Sequence, residues 1–252
     1  MLLTEDPPLD LPTPTGPMRT YVYRPRPTPR TAATTARYPG VVLFSEIYQR
    51  TGPIHRMAQL VAGHGFVVAV PEIFHDLEAP GSVLAYDKAG TDRGNACKIG
   101  KPIAAYDADA RAALDGLAAH PHCTGHLGAL GICIGGHLAF RAGLQPDVRA
   151  TACFYATDLH QGSLGAGGDD SLARAGDLRG ELMMVWGRQD PHIPDDGRAR
   201  IQARLVATER VFTWHEVNAQ HAFLRDEGPR YDPALALAAY AQLVNLFTRT
   251  LA

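Results

Sequence analysis

Short apolar runs alternate with amphipathic stretches along the chain from Gly40 onward. The apolar runs show little alternation between apolar and polar positions, which is typical of strands covered on both faces by helices. In the stretches between them, apolar residues return every three or four positions, which predicts helices. The strand, helix, strand, helix order therefore predicts a three-layer α/β fold with a mostly parallel sheet flanked by helices.

The predicted strands are continuous apolar runs: VVLFSE, FVVAVPEIF, HLGALGIC, RATACFY, ELMMVWG and VFTWHEV. The predicted helices each carry an apolar face: IHRMAQLVAGHG, IAAYDADARAALDGLAAH, GGHLAFRAGL, DDGRARIQARLVAT and PALALAAYAQLVNLFTRTL. A glycine-rich loop, HQGSLGAGGDDS, separates two of the strands. We see no linker or internal repeat after residue 39, so residues 40–252 are expected to form a single domain.

Residues 1–39 have a different character, because proline and threonine are dense in stretches such as RPRPTPRTAATTARYPG. This composition predicts an irregular Pro-rich arm with one strand, MRTYVYRP, inside it.

Composition narrows the classes of function. The chain has 252 residues, 46% of them hydrophobic and 20% charged, with a net charge of −2, which suits one substantial core. Lys and Arg are scattered, so we expect no nucleic-acid partner. The N-terminal residues lack a basic start followed by an apolar run, and no segment approaches the roughly 20 apolar residues of a membrane helix. We expect a cytoplasmic protein that does not bind membranes, and either a monomer or a homodimer.

The four cysteines, at positions 97, 123, 133 and 153, lack the paired short spacing of zinc sites, and we expect no disulfide among them. Three are interpreted as small buried residues. The histidines show no metal-ligand pairing, and no phosphate loop or dinucleotide motif is present. We therefore expect no cofactor and no metal.

Cys133 lies in LGALGICIGGHLAF, where an apolar strand passes directly into a helix. This is the nucleophile-elbow pattern with Cys in place of Ser, and Gly131 and Gly135 provide the small neighbours that so sharp a turn demands. The turn places the thiol at a helix N-terminus, which favours the thiolate. The alternative is a buried cysteine in an ordinary glycine-rich turn.

An elbow nucleophile predicts an acid after a later strand and a histidine after the last strand. Asp190 follows ELMMVWG, and His221 follows VFTWHEV. His221 would exchange protons with Cys133 and the leaving group, while Asp190 would fix the imidazole tautomer. Alternatively, Asp190 forms a turn and His221 is a solvated loop residue. Other candidates lie beyond the strand-end position or within a strand: His192, His215, Asp195 and Asp196.

Glu46, directly after the strand VVLF, lies in the loop that borders the elbow in this fold. A carboxylate there could hold the thiol protonated until substrate arrives, although Glu46 could also be a solvated loop acid. The backbone N–H groups of Ile47 and Ile134 are predicted to form the oxyanion hole.

Four motifs in this order, SEIYQR, GICIGG, GRQDPHIP and QHAFLR, resemble those of the dienelactone hydrolase family of the α/β-hydrolase superfamily. The resemblance runs from about Val41 to Phe247. It implies a carboxylic ester or lactone hydrolase of the carboxymethylenebutenolidase class, with catalytic residues at matching positions: Glu46, Cys133, Asp190 and His221.

The resemblance also bears on substrate binding. Arg225 matches a family arginine that binds a substrate carboxylate, and Tyr155 resembles a tyrosine near that pocket. Alternatively, Arg225 is a surface ion-pair partner and Tyr155 is a half-buried strand residue. Thr91 and Asn95 stand where family members that hydrolyse dienelactone have an Arg and a Tyr. Arg93 is close enough to replace the missing arginine, or is simply a surface charge.

The sequence thus predicts a hydrolase that opens a lactone or small ester through a Cys133 thioester, which water activated by His221 then hydrolyses. Two alternatives stay open, a catalytically weak binding or regulatory protein on the same scaffold and an acyltransferase. Dehalogenation is disfavoured because it would require a carboxylate nucleophile.

Overall fold

The computed structural model of the chain describes residues 3–26 and 36–252. Its strands are β1 (Leu3–Glu5), β2 (Leu9–Thr13), β3 (Gly16–Pro25), β4 (Tyr38–Phe44), β5 (Val67–Pro71), β6 (Cys123–Ile132), β7 (Val148–Phe154), β8 (Glu181–Gly187) and β9 (Phe212–Val217). Its helices are α1 (Gly52–Gly63), α2 (Lys88–Gly100), α3 (Ile103–Ala118), α4 (Ile134–Ala142), α5 (Asp195–Ala207) and α6 (Pro233–Leu251), with a short 3₁₀ helix at Ala173–Asp177.

The strands form one nine-stranded sheet in the order β1-β3-β5-β4-β6-β7-β8-β9, with β2 paired to β3. From β5 to β9 every neighbouring pair is parallel, whereas β1, β2 and β3 run antiparallel to their neighbours. Strand β5 is buried along its whole length, as expected of a strand covered on both faces.

Helices cover both faces of the sheet. On β6, Gly128 approaches Phe247 and Leu251 of α6, whereas Gly131 approaches α4. Positions separated by an odd number of residues on a strand face opposite sides, so α6 and α4 lie on different faces. Helix α3 packs against α4, and α1 packs against β3 and β5. The predicted three-layer α/β fold with a mostly parallel sheet is confirmed.

The N-terminal segment differs from the predicted irregular arm. The predicted strand MRTYVYRP lies within β3, but β1 and β2 were not predicted, and both pair with β3. Strand β3 in turn pairs with β5, so these residues extend the central sheet. Both missed strands are short and contain no fully buried residue, so no hydrophobic pattern marks them in the sequence. The middle of the Pro-rich stretch, residues 27–35, lies outside the described residues.

Helix α2 was also not predicted from the sequence. Its sequence KAGTDRGNACKIG has glycines at 90 and 94 and no apolar periodicity, and few of its residues are buried. Asp87 caps it by accepting a hydrogen bond from the Gly90 N–H at 2.7 Å. Within residues 3–26 and 36–252, no helix has both the length and the apolar character needed to cross a bilayer.

Candidate active site

The predicted catalytic residues follow the carboxyl ends of parallel strands of the sheet. Phe44 of β4 pairs with Gly131 of β6, and Ile132 of β6 pairs with Phe154 of β7. This register aligns the ends of β4, β6 and β7, so the loops that follow them meet at one edge of the sheet. Ligands bind at this edge in open parallel sheets.

Cys133 occupies a strained turn between β6 and α4. Its φ of 59° and ψ of −126° are sparsely populated for a residue with a side chain. Its backbone N–H donates to Phe154 O at 3.1 Å, which fixes the turn to the neighbouring strand. Cys133 is half-buried, whereas Cys97, Cys123 and Cys153 are buried, which confirms the interpretation of these three as small buried residues.

The glycines on either side of Cys133 are sterically required. A Cβ on Gly131 would lie 1.8 Å from Gly135 O, and a Cβ on Gly135 would lie 2.1 Å from Phe44 O. Both contacts are with backbone atoms, so no side-chain rotation could relieve them. The helix therefore starts in direct contact with the strand end, and the elbow geometry depends on both glycines.

Asp190 and His221 meet in the loops after β8 and β9. The Nδ1 atom of His221 lies 2.6 Å from Oδ2 of Asp190, while Oδ1 accepts a hydrogen bond from the backbone N–H of His192 at 2.9 Å. Both side chains are almost completely buried. This hydrogen bond fixes the His221 tautomer and leaves Nε2 for another partner.

The sulfur of Cys133 interacts electrostatically with the imidazole of His221. Burial lowers the pKa of His221, but the charge of the Cys133 sulfur, together with Asp190, outweighs burial and raises it to about 10. We therefore expect a protonated imidazole at neutral pH. The structure thus brings Cys133, His221 and Asp190 together.

Glu46 is buried beside these residues. Its Oε1 accepts a hydrogen bond from Tyr86 Oη at 2.9 Å, and its Oε2 lies 3.5 Å from Nη1 of Arg225. Burial raises the pKa of Glu46, and the opposing charge of Arg225 only partly offsets this effect. Within the described residues Glu46 forms no hydrogen bond with Cys133, so direct control of the thiol by this carboxyl stays a prediction.

The two backbone groups predicted for the oxyanion hole lie near the thiol. Ile134 is the first residue of α4, whose opening N–H groups have no acceptor within the helix. Ile47 lines the cavity next to Glu46, and its N–H makes no backbone hydrogen bond in the part of the chain that the structure describes. The oxyanion hole of Ile47 and Ile134 stays a prediction.

Cys133 and His221 open onto a cavity of about 480 Å³. Its wall also contains Thr91, Asn95 and Lys98 of α2 and, from the loops, Glu46, Ile47, Tyr48, Thr157, Asp158, Gln161, Pro191, His192, Arg225 and Arg230. Thr91 and Asn95, which stand where the family has an Arg and a Tyr, thus line the cavity.

Two predicted substrate-binding residues lie elsewhere. Arg93 is not part of the cavity wall, and its side-chain nitrogens bond to the Glu78 carboxylate and to Leu77 O, so these contacts give its predicted role no support and the role stays a prediction. Tyr155 is completely buried and stacks edge-on against His221, with ring centroids 5.0 Å apart. Its ring packs against the imidazole of His221, and Tyr155 is not part of the cavity wall. Arg225 does line it, but there it faces Glu46, so its predicted role as a carboxylate ligand stays a prediction.

Sequence reasoning missed Tyr86, Lys98 and Arg230 as site residues and set His192 aside. His192 lies in the cavity wall with its ring 4.7 Å from that of His221. Burial lowers the pKa of His192, and the neighbouring His221 lowers it further. The only available signal was the position of His192 in the segment GRQDPHIP, two residues after Asp190.

Comparison with known proteins shows which family the chain belongs to. The model of the Dienelactone hydrolase family matches residues 18–251. The chain belongs to the dienelactone hydrolase family. A Saccharomyces cerevisiae member named "Putative carboxymethylenebutenolidase" is 41% identical over 242 residues, covering 93% of this chain and 87% of the yeast protein. A carboxymethylenebutenolidase of Pseudomonas sp. strain P51 is 24% identical, covering 84% of this chain and 85% of the other.

Solved structures agree on the fold of this dienelactone hydrolase family member. One, described as "Putative Dienelactone Hydrolase from Klebsiella pneumoniae", superposes with a TM-score of 0.79 at 19% identity and covers 99% of this chain and 100% of its own. At that identity the superposition shows the fold alone. The resemblance noted from the four motifs is confirmed at the level of the family.

Proposed function

We propose that this protein hydrolyses a lactone or small carboxylic ester through a thioester on Cys133. The observation that supports the proposal is the position of His221, which is hydrogen-bonded to Asp190 at 2.6 Å and lines the same cavity as Cys133, whose sulfur helps to raise the pKa of the imidazole. A buried imidazolium beside a thiol at a helix N-terminus favours the thiolate, which is the nucleophilic form. The names of the relatives, carboxymethylenebutenolidases, fit this class of reaction.

In the first half-reaction the Cys133 thiolate attacks the carbonyl carbon, and a C–S bond forms. The carbonyl oxygen becomes an oxyanion that accepts hydrogen bonds from the backbone N–H groups of Ile47 and Ile134. When this intermediate collapses, the C–O bond of the ester breaks, and the leaving oxygen takes the proton from Nε2 of His221.

In the second half-reaction neutral His221 removes a proton from water, which attacks the thioester carbonyl. The C–S bond breaks, the carboxylic acid leaves, and the thiolate and imidazolium are restored. Asp190 holds Nδ1 throughout, so that Nε2 faces the reacting atoms in both halves.

Glu46 is proposed to control the reactivity of the thiol through the charges around it. Its carboxyl is buried between Tyr86 and Arg225, close to the imidazolium. Glu46→Gln removes the negative charge and keeps the shape. If the variant retained both the wild-type rate of Cys133 alkylation by iodoacetamide and the wild-type turnover, this role would be wrong.

The proposed function is tested by assaying an enol-lactone and an aryl acetate with the wild-type protein and with Cys133→Ala. We expect hydrolysis of at least one of them by the wild type and a loss to background in the variant. Cys123→Ala is the matched control, because that thiol is buried away from the cavity. Hydrolysis that survives in Cys133→Ala would rule out the thioester route.

A further inference from the structure

The β7 loop, residues 155–172, follows strand β7 and contains the glycine-rich sequence HQGSLGAGGDDS. Its first part borders the active site, because Thr157, Asp158 and Gln161 line the cavity. Helix α2 contributes three further residues to the same wall. The β7 loop and α2 are therefore two separate parts of the chain that together enclose the space in front of Cys133.

Lys98 of α2 and Asp158 of the β7 loop connect these two parts. Lys98 Nζ lies 2.9 Å from Asp158 Oδ2, and the side chains are only 16% and 17% exposed although both line the cavity. A carbon chain needs about 3.5–4.0 Å to each heavy atom beside it, so it cannot pass between two atoms that are in hydrogen-bonding contact. The ion pair therefore closes the wall between α2 and the β7 loop.

The end of α2 that carries Lys98 is held in place by Lys101, immediately after the helix. Lys101 is completely buried, and its Nζ lies 2.8 Å from Asp76 Oδ1 and 2.6 Å from Asp109 Oδ2. The same Nζ donates to Ile73 O at 3.1 Å. Because Lys98 lies less than one helical turn from this buried cluster, its backbone has little freedom to move away from the cavity.

The β7 loop is held in place by His137 of α4. The Thr157 carbonyl accepts a hydrogen bond from Nδ1 of His137 at 2.9 Å, and Nε2 lies 2.8 Å from Ser171 Oγ. Nε2 also lies 3.2 Å from Asp169 Oδ1, and both of these side chains are completely buried. One imidazole, four residues after Cys133, thus binds both ends of the loop.

Asp158 is also fixed locally. Its φ of 67° lies in the left-handed region, which Asp adopts more readily than most residues with a side chain. Its carbonyl accepts hydrogen bonds from the N–H groups of Gln161 at 3.0 Å and Gly162 at 2.9 Å. The carboxylate is therefore presented to Lys98 from a defined backbone position.

We propose that the ion pair between Lys98 and Asp158 limits the size of the substrates that reach Cys133. The backbone is anchored on both sides, so a substituent too large for the cavity of about 480 Å³ has to separate the two side chains. Separation leaves two charges in a poorly solvated position, which is unfavourable. The inference rests on the proposed hydrolase function and names the two residues that select short, compact esters and lactones.

The first test does not depend on turnover. It compares the rate constants for alkylation of Cys133 by iodoacetamide and by 2-iodo-N-phenylacetamide, which carry the same reactive carbon but differ in bulk. The wild type should react more slowly with the bulky reagent. Lys98→Met and Asp158→Asn should each reduce this discrimination by about tenfold, which lies between the effects of breaking exposed and buried ion pairs.

The double variant shows whether the two residues act through one contact. If the ion pair is the barrier, either substitution removes it, and Lys98→Met/Asp158→Asn should discriminate no less than the single variants. Effects of the two substitutions that multiply would contradict a shared barrier.

Lys88→Met is the matched control on the same helix. It removes an ion pair with Asp92 whose side chains are 88% and 62% exposed, and Lys88 does not line the cavity. The control should discriminate between the two reagents as the wild type does.

The second test uses para-nitrophenyl acetate and para-nitrophenyl octanoate, which share a leaving group. The wild type should have the higher kcat/KM for the acetate. The ratio of the two kcat/KM values should fall by about tenfold in Lys98→Met and Asp158→Asn, mainly through a lower KM for the octanoate. It should be unchanged in Lys88→Met.

A wild type that alkylates equally fast with both reagents would overturn the inference, and so would single variants with wild-type ratios in either test. Failure of the hydrolase proposal gives a different pattern. Ester hydrolysis would then persist in Cys133→Ala, while the alkylation rates of Cys133 would still depend on Lys98 and Asp158.

Discussion

Nδ1 of His221 lies 2.6 Å from Oδ2 of Asp190, although 31 residues separate them in sequence. The two side chains come from the loops after two neighbouring parallel strands, β8 and β9, and both are almost completely buried. A hydrogen bond between a buried imidazole and a buried carboxylate fixes the ring and its tautomer. The Nε2 atom is then available to Cys133.

Asp190→Asn should reduce turnover by about two to four orders of magnitude, because the amide no longer stabilises the imidazolium and permits the wrong tautomer. Steady-state kinetics on an ester substrate would measure the loss in kcat. Asp195→Asn is the control, since Asp195 belongs to the same segment but its side chain is largely exposed. Similar kcat values for the two variants would contradict the assignment of Asp190.

The protonation of His221 should depend on Cys133. The pKa of His221 is lowered by burial but raised to about 10 by the sulfur and Asp190, so the ring is charged at pH 8. Turnover should therefore decline as the pH rises through about 10, because neutral His221 cannot protonate the leaving group. The pKa of His221 in Cys133→Ala should be lower, because the sulfur no longer raises it and only Asp190 opposes the lowering effect of burial.

Nitrogen-15 chemical shifts of the imidazole, followed from pH 6 to 11, would measure both values directly. Asp190 is present in both proteins, so any change in the pKa of His221 is caused by the loss of the Cys133 sulfur. An unchanged titration of His221 in Cys133→Ala would show that the thiol and the imidazole are not coupled.

Gly131→Ala should destabilise the fold by about 1–3 kcal/mol or more, because the added methyl group would overlap backbone atoms of α4. Urea denaturation gives the free energy of unfolding. Gly63→Ala is the matched control, since a Cβ added at that glycine would meet no other atom within 4 Å. The control should be neutral or slightly stabilising, and equal effects of the two substitutions would contradict the elbow geometry.

Glu46→Gln should stabilise the fold at neutral pH. Burial raises the pKa of Glu46 above its ordinary value of 4.5, so the folded state binds its proton more tightly than the unfolded state. The carboxylate therefore costs stability once the pH rises above the unfolded pKa. The variant should have the higher free energy of unfolding at pH 8, and the difference should shrink as the pH falls to about 4. A variant less stable than the wild type at pH 8 would contradict this interpretation.

The sequence was sufficient for the parts of the site that depend on local pattern and strand order. The elbow around Cys133 is local, because two glycines and a strand-to-helix junction define it. Asp190 and His221 follow from chain order, since each comes directly after a strand of a parallel sheet. The carboxyl ends of such strands lie at one edge, so these residues had to be near each other.

The sequence was not sufficient to predict the roles of side chains whose function depends on where they point in the folded protein. Arg93 and Lys98 belong to the same helix, yet Arg93 binds Glu78 while Lys98 faces the cavity. Helix α2 has no apolar periodicity, so its orientation could not be predicted.

The measurement that tests the central claim most directly is intact-mass spectrometry of the protein, quenched in acid within its first turnover of an aryl acetate. The account predicts a species heavier by one acetyl group, located on the peptide that contains Cys133 and absent from Cys133→Ala. A substrate that turns over with no acyl group on Cys133 at any quench time, or with the acyl group on another residue, would contradict it.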